Sequence, residues 1–384
     1  MSDPLPPQVS VPPPFPDPPQ LSPISRPIAA QSRRAISGLL ILGLVLLGGL
    51  GVGLVLTFFF SLGSLGSSGG FSHTRAGRSH LYEVVLEDND AEEKVAVVNI
   101  SGVISGGSLG FRGNMVEGFR DQLDRAAEDE HVKAVVLRVD SPGGEVLASD
   151  EIYRAIRTFQ TTNGKPVIAS MGSLAASGGY YVSAPCRWIV AHPLTLTGSI
   201  GVIFHGYNYR GLMDKVGVLP DIVKSGKLKD MFSGEQRPED VLPEEKTILK
   251  DLVKESFDRF KQVIREGRGW AAEQNKGNKS SGQKLAADWE EIADGRILSG
   301  NQALKAGLVD ELGDFNQAVK KAMEFSGLKS ANLITYQAPK SVADLIGLFG
   351  QAPSGKVQIE LPGFLPGSGL PQGRMYFISP LHLR

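Results

Sequence analysis

A serine flanked by small residues is the first candidate for chemistry in this chain. Ser177 lies within residues 175–181 (AASGGYY), shortly after an apolar segment that reads as a strand, and a run that could be helical follows it. A strand, a tight turn and a helix beginning here would hold the hydroxyl at an edge, where backbone N–H groups can face a developing negative charge. The arrangement suits a nucleophile. The structural alternative is a turn of small residues that lets a helix pack closely on a sheet.

A serine nucleophile needs a base, because its hydroxyl is not ionised near neutral pH. The histidine candidates are His192 and His205, but neither has a neighbouring acid that stands out as an orienting partner. A lysine can serve instead if burial and apolar neighbours lower its pKa. Residues 225–232 (SGKLKDMF) carry Lys227 and Lys229 beside apolar side chains. By themselves these residues are equally consistent with a basic loop.

Stabilising an oxyanion requires backbone N–H groups that are free of side-chain crowding. The pair Gly143-Gly144 follows an apolar segment, residues 135–139 (VVLRV), and meets this requirement. Gly178, next to Ser177, would supply a natural second donor. A plain turn between a strand and a helix is the alternative for the glycine pair.

Composition narrows the possible function classes. The chain has 384 residues, which favours two or three structural units, and 41% of them are hydrophobic. Its net charge of −1 gives no reason to expect nucleic acid or a strongly acidic ligand. Cys186 is the single cysteine, so we expect a packed thiol and no disulfide framework. The six histidines show no ligand spacing, and we predict neither a metal nor a cofactor.

Apolar runs that alternate with amphipathic stretches must position these residues. This alternation predicts an α/β fold with stacked β-α units and a largely parallel sheet. The predicted strands are residues 95–100, 135–139, 167–168, 188–191, 201–204 and 221–223. The predicted helices are residues 116–127, 145–159, 243–268 and 315–325, with a short helix that ends at Gly307.

The ends of the chain differ from this central part. Residues 1–34 are rich in proline, which predicts a disordered tail. Residues 35–61 carry no charge, and a helix over residues 35–60, roughly 39 Å long, would cross a bilayer core of about 30 Å. We therefore predict one transmembrane helix, and Arg33-Arg34 favours a cytoplasmic N-terminus. A linker (62–90), a folded domain (91–337) and a Gly/Pro-rich C-terminal tail (338–384) would follow.

Four motifs in a fixed order give the chain a family resemblance. They are residues 140–144 (DSPGG), 171–181 (MGSLAASGGYY), 196–202 (LTGSIGV) and 224–230 (KSGKLKD). Over about residues 95–335 the chain resembles bacterial signal peptide peptidase A (SppA), a family of membrane-anchored serine proteases. The resemblance implies a Clp-protease/crotonase-like fold of stacked β-β-α repeats. With no second copy of the Ala-Ser-Gly-Gly motif, the chain is similar to the short, single-unit form of the family.

The resemblance also implies a role for each matching residue. Ser177 matches the nucleophile, Lys229 the general base and Ser199 the serine that orients the lysine amine. Gly144 and Gly178 match the positions of the oxyanion hole. The Lys-Asp pair at residues 229–230 fits the family pattern, which favours Lys229 over its rival Lys227.

Partners and location follow from the same resemblance. Family members form ring-shaped homo-oligomers in which neighbouring subunits supply the serine and the lysine, and they degrade signal peptide remnants. A place in the inner (cytoplasmic) membrane is implied, with the catalytic domain on the extracytoplasmic side. Two alternatives are a crotonase-like enzyme acting on acyl-CoA and a membrane scaffold without catalytic activity.

Overall fold

The computed structural model describes residues 81–107, 114–338 and 375–379. The chain divides into two units, Met1–Gly77 and Arg78–Arg384, and the description below concerns the second. The Pro-rich tail, the predicted membrane helix and most of the predicted linker lie outside the described residues. Within the described ranges, no helix is both long enough and apolar enough to span a bilayer.

The described residues form a mixed α/β fold, as predicted. The strands are β1 (Tyr82–Glu87), β2 (Lys94–Ser101), β3 (Val132–Ser141), β4 (Gly143–Glu145), β5 (Val167–Ala175), β6 (Trp188–Ala191), β7 (Leu196–Gly198), β8 (Ile203–Phe204), β9 (Ile297–Ser299), β10 (Glu311–Leu312), β11 (Asn332–Gln337) and β12 (Met375–Ile378). The α-helices are α1 (Met115–Glu128), α2 (Val146–Asn163), α3 (Gly178–Ser183), α4 (Arg210–Val216), α5 (Pro243–Gln274), α6 (Gly300–Lys305) and α7 (Phe315–Ser326). A 3-10 turn covers Trp289–Ile292.

The main sheet has the strand order β1-β11-β2-β3-β5-β6-β10. All neighbours from β11 to β10 are parallel, and β1 pairs antiparallel with β11 at one edge. The central strands are nearly continuous runs of small and branched apolar residues, typical of parallel strands covered on both faces. The core accordingly has two parts. Helices α1, α2 and α3 pack on one face, and α7 covers the other.

Two smaller groups of strands lie beside the main sheet. Strands β4, β12 and β8 form a three-stranded sheet with β12 in the middle. Strand β7 pairs parallel with the end of β5, where Leu174 lies opposite Leu196, and antiparallel with β9. Both groups lie at the carboxyl ends of β3 and β5, where open α/β sheets commonly place their functional sites.

The long helix α5 supports this end of the sheet from outside. Proline at its first position suits a helix start, because that N–H has no intrahelical partner. Phe260, Val263 and Ile264, within the helix predicted at residues 243–268, are fully buried. A Cβ at Gly267 would lie 2.4 Å from the carbonyl oxygen of Ala184, so only glycine allows this approach between α5 and the end of α3.

The structure corrects three sequence predictions. Residues 221–223 do not form a strand. They lack regular structure and are exposed, so their apolar side chains lie on the surface and not in a sheet. The strand predicted at 201–204 shortens to Ile203–Phe204, because pairing with β12 reaches only those two residues. The last strand, β12, falls within the predicted Gly/Pro-rich C-terminal tail, where no strand was predicted, and its residues 376–378 are buried.

Candidate active site

Ser177 occupies a sharp turn between β5 and α3. It is the N-cap of α3, with φ 53° and ψ −115°, and only 1% of its surface is exposed. Such backbone angles cost on the order of 1–3 kcal/mol and persist only where the surroundings enforce them. Here the N–H of Ser177 donates to Gly198 O at 2.8 Å, and Ala176 N–H donates to Ser141 O at 3.1 Å. The predicted strand-turn-helix arrangement is confirmed.

The side-chain hydroxyl of Ser177 is buried without a hydrogen-bond partner among the described residues. Neither candidate histidine reaches it. The His192 ring is exposed and accepts a hydrogen bond from Leu194 N–H at 3.2 Å, whereas the His205 ring packs edge-on against Tyr207. The geometry therefore gives no support to a Ser-His pair. A buried polar atom without a partner is costly and is commonly found where a functional group must be available.

The glycines predicted to form an oxyanion hole lie side by side. A Cβ at Gly178 would be 3.0 Å from Gly144 N, and a Cβ at Gly144 would be 1.9 Å from Ile104 O. Gly143 has φ +103° and donates its N–H to Ser141 Oγ at 3.0 Å. Because Gly178 is the first residue of α3, its N–H has no partner within the helix. Two backbone donors thus flank the turn that carries the hydroxyl.

Ser199 follows β7 and lies against the same turn. It has φ 50°, is 4% exposed, and donates its N–H to Arg296 O at 2.7 Å. Its neighbour Gly198 accepts the hydrogen bond from Ser177 N–H. The structure therefore brings together four of the five predicted site residues: Ser177, Ser199, Gly144 and Gly178.

The fifth predicted residue, Lys229, does not join this group. It is exposed in a turn where its N–H donates to Gly226 O, and its amine makes no hydrogen bond or ion pair with any described residue. The rival Lys227 is engaged, since its amine pairs with Glu244 at 2.5 Å. Lys224 pairs with Asp230 at 2.7 Å. Within one chain, the serine hydroxyl and the Lys229 amine are not in contact.

Strand β12 lies directly on the glycine pair. It runs antiparallel to β4, with Phe377 opposite Gly144 and Ile378 opposite Gly143. Ser379 N–H donates to Pro142 O at 2.7 Å. Sequence reasoning missed this strand, and the available signal was weak: a run of four apolar residues, Met-Tyr-Phe-Ile, within a region rich in Gly and Pro.

An aromatic cluster surrounds the Phe377 side chain, which is fully buried. Its ring stacks on Tyr181 with 4.8 Å between centroids and lies 4.8 Å from the ring of Phe260. These contacts join three distant parts of the chain: the helix that follows Ser177, the long helix α5 and the last strand.

The carboxylate of Asp150, paired with two arginines, fixes the position of Tyr181. The tyrosine hydroxyl donates to Asp150 Oδ1 at 2.7 Å, and the same carboxylate pairs with Arg259 at 3.0 Å and with Arg154 at 2.6 Å. Burial by itself would raise the pKa of Asp150, but the hydrogen bonds from Tyr181 and Arg154 and the charge of Arg259 outweigh it, so the pKa lies below its ordinary value. The carboxylate therefore stays ionised and fixes the tyrosine ring.

Comparison with known proteins identifies the family of the chain. The profile of peptidase family S49 matches residues 160–329. "Putative signal peptide peptidase SppA" of Enterococcus faecium is 36% identical over 265 residues, which cover 68% of this chain and 72% of that protein. "Putative protease slr0021" of Synechocystis is 36% identical over 250 residues, 65% of this chain and 80% of that protein.

A solved structure, that of a mutant of the 1510-N membrane-bound stomatin-specific protease in complex with a substrate peptide, has 20% sequence identity and a TM-score of 0.36. The alignment covers 67% of this chain and 98% of that one. Both sequence relatives above carry peptidase or protease names, which favours a serine peptidase over an acyl-CoA enzyme. From its motifs and from relatives aligned over most of their length, the chain belongs to peptidase family S49, the SppA serine peptidases.

Proposed function

We propose that the chain is a membrane-anchored serine endopeptidase of Clp-protease/crotonase-like fold. It uses a Ser-Lys dyad to degrade signal peptide remnants and similar short hydrophobic peptides. One observation carries the proposal: the unpaired hydroxyl of Ser177 lies on a strained turn beside two glycine N–H groups. A hydroxyl so placed has donors ready for the negative charge that forms when it attacks a carbonyl.

The mechanism is acyl transfer followed by hydrolysis. The neutral amine of Lys229 takes the Ser177 proton as the oxygen attacks a peptide carbonyl, and Gly144 and Gly178 N–H groups bind the resulting oxyanion. The protonated amine then donates to the leaving nitrogen. In deacylation the amine removes a proton from water, which attacks the acyl-enzyme, and then returns that proton to the departing Ser177 oxygen, so that the serine and the neutral amine are regenerated.

Assembly supplies the base in this proposal, with Lys229 reaching Ser177 of a neighbouring copy in a homo-oligomeric ring. The absence of any contact for the Lys229 amine among the described residues supports this. So does a run of exposed apolar residues just before it, because monomers rarely leave such patches uncovered. The run comprises Val216, Val218, Leu219, Ile222 and Val223, the last 96% exposed.

Membrane attachment rests on the sequence. The uncharged stretch at residues 35–61 would place the protein in the inner membrane by a single helix. The arginine pair before it supports a cytoplasmic N-terminus and an extracytoplasmic peptidase domain.

Mixing two inactive variants tests the shared dyad. Ser177→Ala and Lys229→Ala should each abolish peptide cleavage while leaving the protein folded. When the two variants are mixed and allowed to exchange subunits, about a quarter of the sites in a head-to-tail ring would combine an intact serine with an intact lysine. Activity should then return to roughly that fraction of the wild-type value.

Lys227→Ala is the matched control, because it removes a nearby amine of the same type. It should retain activity. Loss of activity in Lys227→Ala but not in Lys229→Ala would assign the role of base to Lys227. A mixture that stays inactive despite demonstrated subunit exchange would contradict a dyad shared between subunits.

A further inference from the structure

The lysine loop, residues 224–234, is held in a defined backbone conformation by its own chain. Three N–H groups in it each donate to the carbonyl oxygen three residues earlier, at 3.0–3.1 Å: those of Lys229, Met231 and Ser233. Lys224 closes the loop, because its amine donates to both carboxylate oxygens of Asp230, at 2.7 and 2.8 Å, and to Lys227 O at 3.2 Å. The segment that carries the proposed base is therefore preformed.

Phe232, three residues after the proposed base, has a strained backbone. Its φ is +68°, and among the residues that the structure describes only three other non-glycine residues have a positive φ: Asp90, Ser177 and Ser199. The two serines belong to the candidate active site. Asp90 lies in an exposed bend, and aspartate tolerates this conformation because its short polar side chain can hydrogen-bond locally. A bulky phenylalanine has no such compensation, and strain of this kind is concentrated at functional sites.

The surroundings of Phe232 enforce its conformation. Its ring packs on that of Phe204 in β8, with 5.1 Å between the centroids and 53° between the planes. The following residues are tied to the same part of the chain, since Tyr209 N–H donates to Gly234 O at 2.9 Å. A Cβ at Gly234 would lie 2.2 Å from Tyr207 O, so the two backbones are in direct contact. The lysine loop is thus fastened to β8 and to the segment that follows β8.

The Lys229 amine itself has no such support. The residue is exposed, and its amine contacts no described residue of its own chain through a hydrogen bond or an ion pair. Because a lysine side chain is long and flexible, the region that its amine can reach is set by the backbone that carries it. A misplacement of about 1 Å in a reacting group can cost roughly 10²-fold in rate. The conformation of the lysine loop therefore matters for catalysis.

We infer that Phe232 is a positioning residue for the base. By packing on Phe204 it holds the lysine loop in the conformation that presents the Lys229 amine to Ser177 of a neighbouring copy. The inference rests on the proposed function, and it adds a residue that acts through Lys229 in the subunit that supplies the lysine. Without the ring the strained backbone relaxes, and the amine spends a smaller fraction of its time in the productive position.

The mixture of Ser177→Ala and Lys229→Ala proteins tests this, because each chain then has one role. The Ser177→Ala chain supplies the lysine, and Phe232→Ala added to that chain should lower the restored activity roughly tenfold or more. The same substitution added to the Lys229→Ala chain, which supplies the serine, should leave the restored activity within about twofold of that of the original mixture. A purely structural role for Phe232 would lower both mixtures alike.

Kinetics of the single variant give a second measurement. Phe232→Ala should lower kcat roughly tenfold or more and change KM little, since the side chain acts on the base and not on substrate binding. Phe232→Tyr keeps the aromatic ring and should retain activity. Should Phe232→Ala not fold or assemble, Phe204→Ala removes the other ring of the pair and should show the same dependence on which chain carries it.

Phe325→Ala is the matched control, because the Phe325 ring makes a similar contact in helix α7. It lies 5.5 Å from the ring of Trp188, with 57° between the planes. This variant should unfold at a lower temperature than the wild type and keep the wild-type kcat. Circular dichroism and oligomer size check that every variant is folded and assembled.

The outcomes distinguish the inference from the function on which it rests. Equal activity of the two Phe232→Ala mixtures, whether lowered or unchanged, would overturn the positioning role while the shared dyad stands. If the original mixture stays inactive despite demonstrated subunit exchange, the shared dyad fails and the inference fails with it.

Discussion

Replacing Gly144 by alanine is the most direct test of the proposed oxyanion hole. The added Cβ would lie 1.9 Å from Ile104 O and 2.5 Å from Ile104 N. Both atoms belong to the backbone, so no side-chain rotation relieves the clash. The segments are also tied together, since Ile104 N–H donates to Gly143 O at 2.9 Å and Ile104 O accepts from Glu145 N–H at 2.8 Å.

The size of the displacement sets the expected loss. A carbon-oxygen contact settles at about 3.3 Å or more, so β4 must move by more than about an ångström. An oxyanion donor acts at about 2.7–3.1 Å, and losing one costs roughly 10²–10³ in kcat, or about 2.7–4 kcal/mol. We therefore expect Gly144→Ala to lower kcat by that factor and to change KM little.

Gly118→Ala is the control, because a Cβ there meets no atom within 4 Å and the residue lies inside helix α1. It should keep full activity and gain about 0.5–1 kcal/mol of stability from the better helix propensity. The assay is steady-state cleavage of a fluorogenic peptide, with thermal unfolding of each variant measured in parallel. A folded Gly144→Ala protein whose kcat is within threefold of wild type would refute the assigned role.

Three further predictions concern stability and reactivity. Tyr181→Phe removes a hydrogen bond to a buried charge and should lower the free energy of unfolding by about 1.5–3 kcal/mol at neutral pH. The pKa of Asp150 is lower in the folded protein than in the unfolded chain. The ionised carboxylate therefore stabilises the fold fully at pH values above the unfolded-state pKa, and this contribution is lost as the pH falls through the folded-state pKa. The difference between the two proteins should therefore shrink on acidification, as urea unfolding at several pH values will measure. Arg268→Met leaves the buried carboxylate of Asp310 without its cation and should cost about 3–5 kcal/mol in the same assay, so a loss under about 1 kcal/mol would contradict it. Burial raises the pKa of the Cys186 thiol, which should react with a thiol reagent only in denaturant; prompt reaction of the native protein would be the opposite result.

Much of the fold could be predicted from local sequence patterns. Strands β2, β3 and β6 could be predicted because a strand buried on both faces is a nearly continuous run of apolar residues. Helix α5 could be predicted from its amphipathic sequence, although it continues to Gln274, past the predicted end at residue 268. The residues around Ser177 could also be predicted, because small residues at fixed spacing are required by the tight turn itself.

The remainder depends on contacts between residues far apart in sequence. Strand β12 is only four residues long and forms because it pairs with β4 and β8. A local sequence pattern cannot predict pairing with strands so distant in the chain. The aromatic cluster joins Tyr181, Phe260 and Phe377 from three separate segments. The segment at 221–223 has strand-like composition but no neighbouring strand, and it stays exposed.

The order of strands also has a consequence for biosynthesis. Strand β1 ends at Glu87 and β2 begins at Lys94, yet the two are separated in the sheet by β11, which comes from Asn332–Gln337. A chain emerging from the ribosome therefore holds β2 with one open edge until nearly all the peptidase domain has been made. Such long-range pairing slows folding and leaves strand edges exposed to aggregation. We expect the nascent chain to depend on chaperones during this interval, and its proteolytic activity to begin only after synthesis is almost complete.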